Sequence, residues 1–92
     1  MVLKVVKRDG REEEFDPDKI ARVVTSSGLK PQEGLELALS VDRWAKSLNK
    51  EQVTTMEIRD RVIEELKKIN EYVANLFIWY EQGKDKIADD SN

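Results

Sequence analysis

The sequence contains no cysteine and no histidine. Without cysteine there are no disulfides, thiolate metal sites or cysteine nucleophiles. Without histidine the commonest general base and the commonest metal ligand are missing. Chemistry would fall to carboxylates and lysines, so the chain is not expected to be an enzyme. Glycine is sparse. The four glycines, at positions 10, 28, 34 and 83, are scattered and build neither a P-loop nor a dinucleotide fingerprint. No apolar run approaches the ~20 residues of a membrane span. Met1 to Arg8 is too short and too charged for a signal peptide. A basic excess is missing too: 16 Lys and Arg stand against 19 Asp and Glu, a net charge of −3. Binding to nucleic acid by this chain alone is therefore not expected. Together these absences predict a soluble cytoplasmic protein with no membrane partner.

What is present fits a single domain. A chain of 92 residues buries roughly two thirds of the surface its unfolded form exposes, enough for one core. Val2-Leu3-Lys4-Val5-Val6-Lys7 is β-branched and reads as a strand. Asp9-Gly10 is a tight-turn signal of type I′ kind. Arg11 to Phe15 is the returning strand, so residues 2–15 are expected to form a hairpin. Asp16-Pro17 starts a helix, with Asp as N-cap and Pro where no N–H is needed. Ile20, Val23 and Val24 face inward, and Gly28 ends the helix.

Pro31 opens a second helix. Its stripe is Leu37, Val41, Trp44, Ala45 and Leu48, widened by Leu35, Ala38 and Leu39, which predicts cover over much of its circumference. Residues 51–53 suggest a short third strand. Thr54-Thr55-Met56-Glu57 fits a capping box, and Ile58, Val62, Leu66 and Ile69 make the inward stripe of a third helix. Asn70 is a break, and Glu71 to Tyr80 reads as a fourth helix holding Tyr72, Phe77, Trp79 and Tyr80, four of the six aromatics. These elements predict an α+β fold: an N-terminal β-hairpin and a short third strand forming a small sheet that caps a four-helix bundle. Residues 1–82 form the expected domain, and 83–92 a polar C-terminal tail.

Chemistry concentrates at Lys7, Arg8 and Lys19. A turn with adjacent cations beside a helix start suits a polyphosphate, lysine acting as a point charge and arginine as a bidentate fork. The plainer reading is a solvated hairpin balanced by Glu12, Glu13 and Glu14, a run that also suits an edge strand. The aromatics of the fourth helix read first as core and second as an interface.

Lys7-Arg8-Asp9-Gly10, Phe15-Asp16, Lys19-Ile20, Thr54-Thr55 with Ile58, and Ala74-x-x-Phe77-x-x-Tyr80 occur in this order. That ordered set resembles the ATP-cone domain, found in ribonucleotide reductases and related regulators, over about residues 2–82. The resemblance implies a non-catalytic allosteric site for ATP or dATP between sheet and helices, with Mg2+ a candidate companion ion. It implies that Lys7 and Arg8 meet the phosphates and that Lys19 reaches in from the first helix. Val5, Phe15, Ile20 and Ile58 become apolar walls near the base, and Glu13, Asp16 and Thr55 lie near ribose or base. Arg59 aligns with a position close to the ribose, with a phosphate contact or a solvated surface as the other readings, and its neighbours three and four residues away include no acid.

Family members usually carry a basic residue after the last aromatic of the fourth helix. Here that residue is Glu81, with Lys84 about one turn on. This departure motivates a second expectation, a protein-interaction or oligomerisation module that keeps the fold without the ligand. A homo-oligomer or a catalytic protein partner would then meet the fourth helix. The absence of any second fold in the chain suggests a stand-alone regulator or an excised domain.

Overall fold

A computed structural model describes residues 3–90, with side-chain surroundings for 3–81. Val2 of the expected first strand and residues 91–92 of the expected tail lie outside the described residues. The chain opens with β1 (Lys4–Val6) and β2 (Glu12–Glu14), paired antiparallel with Val5 opposite Glu13. The connection differs from the expected type I′ turn. Lys7 and Arg11 close the ladder, Lys7 N–H donating to Arg11 O at 2.8 Å, and Gly10 N–H donates to Lys7 O at 2.9 Å. The loop is thus Arg8-Asp9-Gly10, and only Gly10 has positive φ, at +90°. A three-residue loop of this kind needs one left-handed residue rather than two, so Asp9 avoids that strain. Asp9 instead turns its carboxylate to the Arg11 N–H at 3.0 Å and Arg11 Nε at 2.6 Å.

Helix α1 spans Pro17–Ser26, and Asp16 caps it by accepting from Asp18 N–H at 3.0 Å. Its end is closed by Gly28 at φ +120°. Gly28 N–H donates to Thr25 O and Leu29 N–H to Val24 O, which satisfies carbonyls the helix would leave open. Buried Leu29 completes that stop. Helix α2 (Pro31–Ser47) then folds back along α1. Gly34 marks their close approach. A Cβ there would lie 2.6 Å from Thr25 Oγ1 and 3.2 Å from the Ala21 carbonyl.

β3 (Gln52–Thr54) joins β1 in parallel, giving the order β2-β1-β3. It sits one residue later than expected, because Val53 must pair with Val5 to turn its side chain to the buried face. Thr54 caps α3 (Thr55–Ile69), its hydroxyl accepting from Glu57 N–H at 3.1 Å. The reciprocal half of the expected capping box is not made, and Glu57 Oε2 is buried without a partner. Asn70 ends α3 and starts α4 (Glu71–Asp90), its side-chain oxygen accepting from Val73 N–H at 3.2 Å. The helix is longer than the expected 71–80. A single glycine costs a helix only about 1 kcal/mol, and Lys, Ile and Ala follow Gly83.

The core gathers Val24, Leu29, Leu37, Val41, Val62, Leu66, Val73, Ala74 and Phe77. Arg61 lies over the Trp44 ring, 5.6 Å from its centroid, and ties α3 to α2. The fold is the expected α+β architecture, a small mixed sheet against four helices. Three expected core positions are corrected. Leu35, Leu39 and Ile69 are exposed. Packing of α1 and α3 covers one side of α2, and the side carrying Leu35 and Leu39 is left to solvent. Among the described residues no helix is long and apolar enough to cross a membrane.

Candidate functional site

Paired residues of neighbouring strands project to the same side of a sheet. Glu13, Val5 and Val53 are such partners across all three strands. Val5 and Val53 are buried, so this side faces the helices. Lys7 follows Val5 by two residues and Phe15 follows Glu13 by two, placing them on the same side. Glu12 and Glu14 fall on the other side and are exposed. The run of three glutamates is therefore not uniform. Two solvate an edge strand, and the third turns inward.

Glu13 meets two cations there. Lys7 Nζ lies 3.4 Å from Glu13 Oε2, and Lys19 Nζ lies 3.4 Å from Glu13 Oε1. Lysines from the hairpin and from the first turn of α1 thus converge on one carboxylate. Partial burial raises the affinity of Glu13 for a proton, but the charges of Lys19 and Lys7 and their hydrogen bonds outweigh it. The carboxyl is held below its ordinary value. Asp9, at the loop tip, is also held low: the Arg11 backbone N–H is the largest cause, desolvation opposes it, and the hydrogen bond and charge of the Arg11 side chain add to the lowering.

The other expected site residues distribute around this cluster. Phe15, Ile20 and Ile58 are half-buried against the core, and Val5 is buried beside them. Thr55 opens α3 and donates its hydroxyl to Val6 O at 3.1 Å, fixing α3 to β1. Asp16 is engaged as the α1 cap, with its second oxygen 4.0 Å from Arg22 Nη2. Arg8 is exposed in the hairpin loop, and Arg59 is half-buried on α3, one turn after Thr55.

A separate groove of about 370 Å³ lies between α1 and α4. Arg22, Val23, Ser26 and Ser27 line one side, and Leu76, Trp79 and Tyr80 the other. It was not foreseen from sequence, although Lys19, Arg22, Val23 and Ser26 follow helical spacing on α1. A second, shallower recess at Ala21, Thr25 and Pro31 adjoins it. The two candidate regions differ in chemistry. The groove offers one guanidinium amid aromatic surface, whereas the sheet cap offers two ammoniums converging on one carboxylate. A polyphosphate is matched by the second.

A family model for the ATP cone domain matches residues 3–86. Among curated proteins, the transcriptional repressor NrdR of Shouchella clausii (strain KSM-K16) is 35% identical over 73 residues. That match takes in 75% of this chain and 48% of the repressor, so the chain spans about half the length of the curated relative.

Proposed function

The chain belongs to the ATP-cone family, and from that premise we propose that it is a non-catalytic allosteric domain switched by ATP or dATP. The observation that carries this reading is the convergence of Lys7 and Lys19 on one anionic group at the seam of sheet and helix. Lys7 and Lys19 would hold the phosphates, with Arg8 adding a fork from the loop. Phe15, Ile20, Ile58 and Val5 provide apolar surface for the base. Asp16 and Thr55 carry oxygen atoms suited to the ribose or base, Arg59 lies near enough in sequence to Thr55 to share that task, and Glu13 stands between the two lysines. Mg2+ would arrive on the phosphates, as it commonly does when protein ligands are few. Among the described residues there is no group of three or more acidic side chains that could hold a metal by themselves.

Titration calorimetry on the folded protein with ATP, dATP and GTP tests the reading. Saturable heat with ATP or dATP, larger than with GTP, is expected. No heat with any of the three sinks it.

A second reading is carried by α4, where Tyr72, Leu76, Trp79 and Tyr80 share one face at helical spacing and are exposed, Trp79 at 73% and Tyr72 at 71%. Aromatic side chains in such number on one helix face suit association with another protein surface. Here the domain keeps its fold and acts as an interaction or oligomerisation module, through a second copy or a catalytic partner. Sedimentation velocity over a concentration series separates the readings. Association insensitive to nucleotide favours the module, and association that responds to nucleotide favours the allosteric switch.

A further inference from the structure

We propose that Glu13 is an internal competitor for the phosphate seat: its carboxylate holds Lys7 and Lys19, and a polyphosphate binds by displacing it. The inference rests on the nucleotide reading above. Its starting point is a placement that stability alone does not explain. The core-facing side of a strand normally carries apolar residues, since a carboxylate turned there loses part of its hydration. The partners of Glu13 across the sheet, Val5 and Val53, follow that rule. Glu13 does not.

Both of its oxygens are engaged, one with each lysine, at equal distances of 3.4 Å. The two ammoniums therefore face one small anionic centre from two elements of the fold. A phosphate group offers the same pattern, oxygens on a single centre, with more charge. The three side chains remain partly solvated, Lys19 the most. Ion pairs in such settings are weak, so a multiply charged group can replace the carboxylate, while a singly charged anion gains nothing from the exchange. Glu13 would thus set a threshold that favours polyphosphates over simpler anions.

Glu14 supplies the control. It carries the same charge, one residue away on the same strand, but projects to the exposed side of the sheet. The experiment is calorimetry on the full chain, using inorganic tripolyphosphate and ATP as probes, for the wild type, Glu13→Gln and Glu14→Gln. Circular dichroism confirms that each variant is folded. Glu13→Gln should tighten tripolyphosphate and ATP by about tenfold, equivalent to ~1.4 kcal/mol. Glu14→Gln should change either by no more than about twofold, a long-range charge effect that salt screens.

Equal tightening by both variants overturns the inference, because the effect is then one of net charge. Weaker ATP binding with unchanged tripolyphosphate in Glu13→Gln also overturns it, and assigns Glu13 to the nucleoside instead. A wild-type protein that binds tripolyphosphate and ATP leaves the nucleotide reading standing whichever of these is found. A wild-type protein that binds neither overturns that reading and this inference together.

Discussion

In the helical body, Val24, Val41, Ala45, Leu66 and Ala74 are fully withdrawn from solvent, and among the described residues no polar or charged residue is buried as a whole with them. On the inner side of the sheet, Glu13 and Lys7 sit beside buried Val5 and reach Lys19 on α1. The two regions answer to different energetics. Full burial of a side chain such as Leu66 is worth roughly 1.5–3 kcal/mol. A partly solvated ion pair is worth about 0–1 kcal/mol. The body therefore supplies the stability, and the charges of the cap contribute little to it. Such groups can rearrange around a ligand without unfolding the domain.

The largest effect is expected in the body. Leu66→Ala should cost about 2–5 kcal/mol, the usual range for a truncated core leucine. Urea denaturation measures it, and a cost under about 1 kcal/mol would show that the core is not where stability resides. Gly34→Ala should come next, at about 1–3 kcal/mol, because its Cβ meets the Ala21 carbonyl across the α1–α2 contact. The same denaturation series reads it, and a neutral result would mean that the two helices separate easily.

The cap should behave in the opposite way. Lys7→Ala and Lys19→Ala should each weaken ATP binding by about tenfold in calorimetry, with unfolding free energies within about 1 kcal/mol of wild type. A large loss of stability in either would erase the distinction between the regions.

The smallest expected effect is on acid sensitivity. Glu13 titrates below its ordinary value in the folded protein, so its ion pairs stabilise fully above that value and fade as pH falls through the folded one. Wild type should be slightly more stable than Glu13→Gln at neutral pH, and the gap should close below the ordinary Glu value of 4.5. Paired urea titrations across pH check this. A gap that widens in acid would contradict the ion-pair geometry.

What could be read from the sequence was governed by local chemistry. Asp16-Pro17, Gly28, Thr54 and Asn70 each start or stop a helix where expected, because a cap acts through its own backbone neighbours. The hairpin was legible, but not the conformation of Asp9, because Asp-Gly serves two- and three-residue loops alike. Tertiary facts were harder to see. Nothing local distinguishes exposed Leu35 and Leu39 from buried Leu37, and nothing in the spelling of Gly34 announces a helix contact. The same holds at the site. Lys7 and Lys19 could be expected to converge, but Glu13 looks like its neighbours until the register with Val5 selects it. The groove at Trp79 and Tyr80 depends on how α4 lies beside α1, which no motif encodes.

The proposed seat of the nucleotide is the sheet cap and the start of α1. Amide chemical-shift mapping during an ATP titration tests it most directly. The largest shifts are expected at residues 7–10, at Glu13, and at Lys19 and Thr55. Shifts concentrated instead at Ser26, Leu76, Trp79 and Tyr80, around the groove between α1 and α4, would contradict it.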